Sequence, residues 1–201
     1  MDTAVALVKS YLQANGFFTV TEYPILEMLS GEAARTVTDV DVMGLRFPGA
    51  GGPGSDATTG GIGISPDPAL DISDRYIEVI IGEVKEGAAV LNRAARDPEV
   101  LSAVLLRFGQ MRKEVSDQLV NELIESGVAM HPAGIRMRLM VFASKPPTRR
   151  NISYQWMSLG QIATWLRTQV HEHWDSMKAV QSKDPALGFL ILFEKASRGE
   201  G

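Results

Sequence analysis

Apolar residues at helical spacing open the chain. Ala4, Leu7, Val8, Tyr11 and Leu12 fall on one face of a helix over residues 3–15, and Asn15-Gly16 supplies its stop. Residues 17–28 (FFTVTEYPILEM) are rich in β-branched and aromatic side chains and predict a first strand, with Pro24 confining it to an edge or a bulge. A second strand follows at RTVTDVDVMGLRF, where Val37, Val40, Val42 and Leu45 surround two acids. The pattern then collapses into Gly, Pro, Ser, Thr and Asp, predicting a long mobile loop over residues 48–74. From Tyr76 to Val84 the chain is almost continuously apolar, as a central strand covered on both faces would be.

Helical punctuation returns at Asp97-Pro98, a cap followed by proline at the first helical position, which opens a helix to about Arg107. A longer helix is predicted from about Gln110 to Ser126, ending at Gly127. Residues 135–143 (IRMRLMVFA) predict a fourth strand, and residues 152–156 a further one. Ser158 and Gln161 form a capping-box pattern for a helix extending as far as Val180, and Asp184-Pro185 opens a last one. The long connection between the third and fourth strands is what a crossover within one sheet requires.

Composition changes this picture little. With 201 residues, 45% apolar and 22% charged, the chain fits one α/β domain, with residues 158–196 as a helical extension packed on its core. No run approaches the roughly 20 apolar residues of a membrane span, so no membrane partner is expected. The absence of cysteine excludes thiolate metal sites and fits a cytoplasmic setting. A net charge of −4 argues against a uniformly basic nucleic-acid coat and leaves room for a local basic face.

Candidate chemistry sits where the apolar strands meet charge. Asp41 lies on the second predicted strand. Glu83 and Lys85 close the third, two residues apart and so on one face. Two carboxylates suit a hard divalent cation, and an adjacent ammonium can orient an attacking water or stabilise developing negative charge. His171 and His173 are spaced to diverge on a helix, and the glycine-rich loop lacks the G-K-[ST] ending of a phosphate loop. Arg136, Arg138, Lys145, Arg149 and Arg150 read either as a phosphate-contacting face or as a solvated edge.

The motifs TDVDVMG (residues 38–44) and IIGEVKEG (residues 80–87), in that order, resemble those of the PD-(D/E)xK nuclease superfamily. The resemblance implies a restriction-endonuclease-like fold: a mixed four- to five-stranded sheet flanked by helices, in the order helix, three strands, helix, strand. It further implies that Asp41 and Glu83 bind Mg²⁺ or Mn²⁺ and that Lys85 acts in hydrolysis of DNA phosphodiester bonds. Members often add a glutamate from the first helix. This helix offers none, which nominates Glu22, then Glu27, as a third ligand, with Asp39 able to join or replace Asp41. Gln110 is the candidate for the glutamine that several branches place after the lysine motif. DNA is the implied partner, and a homodimer is an open alternative to a single copy. A catalytically inactive DNA-binding or assembly subunit with the same fold is the competing reading, and a hydrolase of another phosphate ester is a third.

Overall fold

A computed structural model describes residues 2–27, 35–51, 64–109 and 112–200. Asp2 caps helix α1 (Thr3–Ala14) by accepting from the Ala4 N–H, and the helix buries Ala4, Val5, Val8, Tyr11 and Leu12. Gly16 turns the chain at φ 85°, where a Cβ would stand 2.9 Å from the Ala50 carbonyl oxygen. Only glycine suits that position.

Strands β1 (Phe18–Glu27), β2 (Arg35–Arg46) and β3 (Ile77–Ala88) form an antiparallel meander. As Pro24 leads one to expect, β1 is the edge, and its pairing shifts register between Ile25 and Leu26. After β3 the chain runs through α2 (Pro98–Arg107) and α3 (Lys113–Ser126), then β4 (Val128–His131) and β5 (Ile135–Lys145). Strand β5 returns parallel to β3. Its far edge is shared: β4 pairs antiparallel with Ile135–Arg138, and β6 (Gln155–Ser158) pairs parallel with Met140–Ala143. Among the described residues the sheet is therefore mixed and six-stranded, where the sequence predicts four to five strands, in the order β1-β2-β3-β5-β4 with β6 beside β5.

Alternation along the central strands builds two cores. Val79, Ile81, Leu139 and Val141 pack with Leu101, Val104 and Leu105 of α2 and with Leu119 and Leu123 of α3. Ile80, Met140 and Phe142 face the other way, onto α1 and onto Leu159, Ile162 and Leu166 of α4 (Leu159–Glu172). Complete burial of a side chain such as Leu123 or Ile162 contributes roughly 1.5–3 kcal/mol. At Gly82 the side chains of the two flanking strands close over β3, and a Cβ would lie 2.6 Å from Val42 Cγ1 and 3.0 Å from Phe142 Cε2.

Two local expectations change, at the end of α4 and in residues 64–74. Helix α4 stops at Glu172 instead of reaching Val180, and a short helix α5 (Trp174–Met177) follows. Helix α6 (Pro185–Arg198) is pinned to α1 because its capping carboxylate, Asp184, also accepts from Ser10 Oγ and from Lys9 Nζ at 3.2 Å. Residues 64–74, predicted as part of a mobile loop, pack against the core. Ile64, Asp67 and Leu70 are buried, Asp67 N–H donates to Asn15 Oδ1, and Tyr11 donates to Asp67 Oδ2 at 2.8 Å. The sequence hides this because the apolar anchors are spaced too widely to read as an element.

Candidate metal centre

The β2–β3 ladder runs from Arg46↔Glu78 to Val42↔Gly82 and ends there. Asp41 and Glu83 are the next residues on each strand. Val42 packs on the α1 and α4 side of the sheet, while Val40, two residues back, packs on the α2 and α3 side, so β2 loses its alternation at Asp41. On β1 the flanking pairs Thr21↔Val42 and Tyr23↔Val40 set Glu22 level with Asp41, and Glu22 itself adopts φ 52°. The strands part at this level. Asp41 bridges the opening: its Oδ2 accepts from the Val84 backbone N–H at 2.7 Å. A side-chain carboxylate thus satisfies a backbone donor just past the end of the ladder.

Glu83 is 5% exposed, and its Oε1 accepts both the Lys85 ammonium and the Asn92 side-chain amide. Burial pushes the Glu83 carboxyl above the usual carboxylate range. Lys85 opposes that shift through its hydrogen bond and charge, and the negative charge of Asp41 adds to it. Asn92 reaches this position because the segment after β3 is folded back and stitched down. Ala89 N–H donates to the Lys145 carbonyl at 2.9 Å, Tyr154 Oη donates to the Ala89 carbonyl at 2.8 Å, and the Arg96 guanidinium lies over the Tyr154 ring at 5.6 Å. Nothing in the local sequence marks Asn92. Its role depends on contacts from the far end of the domain.

A consequence for stability follows from the sign of the Glu83 shift. A carboxyl whose folded-state pKa is raised holds its proton more tightly in the native state, so its contribution to stability falls as pH rises above the ordinary value of 4.5. Glu83→Gln mimics the protonated form at every pH. The variant is expected to melt higher than the wild type at pH 8, with the gap closing as pH falls below 4.5; a variant that melts lower throughout would contradict this reading.

The sequence-derived candidates are not equally served. Asp41, Glu83 and Lys85 are brought together. Asp39 is exposed and, with Thr38, Glu83, Leu91 and Ala95, lines a crevice of about 10 Å³, room for about one water. Glu22 is exposed on the edge strand. Among the described residues no three or more Asp, Glu or His side chains cluster as a metal-holding group, so Glu22 and Asp39 do not complete a larger ligand set around Asp41 and Glu83. Gln110, and the side chain of Glu27, lie outside the described residues. Two carboxylates fit Mg²⁺ all the same, because that ion keeps several waters and is commonly held by one or two carboxylates. Without cysteine there is no thiolate, and the donors at this centre are hard carboxylate oxygens. His171 is engaged elsewhere, 2.7 Å from Glu194 Oε1.

Arg136 and Arg138 require a correction. They line neither a phosphate-binding face nor a solvated edge. Arg138 is 1% exposed, and both guanidiniums converge on Glu78, which is completely buried. Lys145, Arg149 and Arg150 are exposed, as are Arg93 and Arg96 on the folded-back segment. Among the described residues no helix is long and apolar enough to cross a membrane. No family model, curated protein or solved structure matches this chain.

Proposed function

We propose that this chain is a Mg²⁺-dependent nuclease of the PD-(D/E)xK type that hydrolyses DNA phosphodiester bonds. One observation supports the reading: Asp41 and Glu83 both lie where the β2–β3 ladder ends, Asp41 accepting from the Val84 N–H beside Glu83, and the Lys85 ammonium lies on Glu83. The order of α1, the β1–β3 meander, an intervening helical segment and the parallel strand β5 is compatible with that superfamily's core. A bound Mg²⁺ supplies Lewis acidity and a more acidic water. The chain's own residues do the rest. Asp41 and Glu83 hold the ion, Lys85 orients the attacking water or stabilises charge developing on the phosphate, and Asn92 keeps the Glu83 carboxylate in place. The exposed Arg93, Arg96, Lys145, Arg149 and Arg150, on two segments joined through Ala89 and Tyr154, offer phosphate contacts that position the backbone without reading sequence.

The test is cleavage of assorted DNAs with Mg²⁺ or Mn²⁺, with chelator and with Lys85→Ala. Chelator should abolish cleavage, and Lys85→Ala should slow it by about 100-fold, within the usual range for a positioned proton-transfer group. Equal rates for the two proteins would remove Lys85 from the chemistry. The limited donor set, two carboxylates with no third clustered beside them among the described residues, favours a second reading in which the fold is kept as an inactive DNA-binding or assembly subunit. That reading gains if DNA is bound but no divalent ion is.

A further inference from the structure

Glu83 Oε1 is held by two donors of different character. The Asn92 amide is neutral and sits on a segment fastened by Lys145 and Tyr154. Lys85 brings a full positive charge on a flexible four-carbon stem, and its side chain is 31% exposed. Resting on the metal-centre reading above, we propose that Lys85 is a stand-in cation that leaves Glu83 when a divalent ion enters between Asp41 and Glu83, whereas Asn92 is a positioning residue that holds the carboxylate in both states.

Charge bookkeeping motivates the first half. A carboxylate that is 5% exposed and lies near the charge of Asp41 is costly without a compensating cation. Lys85 supplies that charge while no metal is present. An ammonium and a divalent cation beside one carboxylate repel each other, so entry of the ion drives Lys85 off. Partial exposure gives Lys85 somewhere to go, and its position two residues along β3 leaves it beside the centre, where a phosphate would be held. Displacement would then convert the stand-in into the group that acts on substrate. The amide of Asn92 carries no charge and so does not compete in this way. It narrows the orientations open to Glu83 before any ion arrives.

These two roles predict effects of opposite sign. Calorimetric titration of the full chain with Mn²⁺ alone, at one pH and ionic strength, is expected to show about tenfold tighter binding for Lys85→Met and about tenfold weaker binding for Asn92→Ala, the scale of one contact to a metal-binding group. General damage to the fold lowers affinity in both variants and cannot tighten either. Amide NMR gives a second reading on the wild type: the Asn92 side-chain signals should keep their bonded position on saturation with Mg²⁺, and their return to the position of a free amide would overturn the positioning role. Unchanged or weaker binding by Lys85→Met overturns the stand-in role, and unchanged binding by Asn92→Ala overturns that of Asn92, with the metal centre itself intact in either case. Absence of Mn²⁺ binding by all three proteins overturns the metal centre together with this inference.

Discussion

Asp41→Asn is expected to lower divalent-dependent DNA cleavage by at least about 1,000-fold, the scale of several kcal/mol of metal-borne charge stabilisation, while its thermal midpoint stays near that of the wild type. The two outcomes separate because Asp41 does two jobs. Its charge is half of the proposed ligand pair, and its Oδ2 accepts from the Val84 N–H at 2.7 Å. Asparagine keeps an oxygen of the same reach for that N–H and loses only the charge. Asp41→Ala removes both, and an unsatisfied backbone donor next to a buried strand costs about 1–3 kcal/mol. The pair of variants therefore distinguishes a ligand from a strut. Rates are to be measured at saturating Mg²⁺ with unfolding followed in parallel. An asparagine variant that cleaves as fast as the wild type would take Asp41 out of the metal set.

What the sequence made legible was what is local. Asp97-Pro98 and Asp184-Pro185 announce α2 and α6 because cap and first turn lie within a few residues, and in both helices the carboxylate accepts from the first-turn N–H groups. Glu83 and Lys85 could be paired for the same reason, since period two along one strand sets them on one face. Asp41 was separable from Asp39 only as the deeper residue of an apolar run; the end of the ladder at Val42↔Gly82 is what puts Asp41 at the opening. Asn92 was invisible because the hydroxyl that folds its segment back belongs to Tyr154, 65 residues beyond Ala89. Strand β4 has only four residues, too few for alternation to register, and forms because half of the β5 edge is open to it. The buried acid that pairs with Arg136 and Arg138 is hidden from the sequence because it lies on β3, 58 residues before Arg136. Alternating R-M-R on a strand carries no mark of whether its polar side meets water or a buried partner.

That buried partner gives the largest expected effect on stability. Glu78→Leu is expected to destabilise the fold by about 3–5 kcal/mol, the cost of leaving buried charges without their counterpart, seen in urea unfolding and as a drop of about 10 °C in the melting midpoint. Glu78 has no exposed surface, and its two oxygens accept from Arg136 Nε at 2.9 and 3.0 Å. The Ser73 N–H donates to it at 2.9 Å, and Arg138 Nε lies 3.4 Å away. Leucine fills similar space but accepts nothing, so Arg136 and the Ser73 N–H lose their acceptor while Arg138 loses its counter-charge. Arg138 is the more exposed to this loss in energetic terms: burial already lowers its pKa, and the charge of Glu78 is the main influence opposing that. Two of its nitrogens, Nε and Nη2, are buried without a hydrogen-bond partner even with Glu78 present. Replacing the arginine as well should therefore recover part of the loss, so that Glu78→Leu with Arg138→Met is less damaging than the sum of the two single changes. Strict additivity would mean that the two side chains do not stabilise one another. A cost below about 1 kcal/mol for Glu78→Leu alone, in the range of exposed pairs, would mean that the network does not hold the 64–74 segment against the sheet.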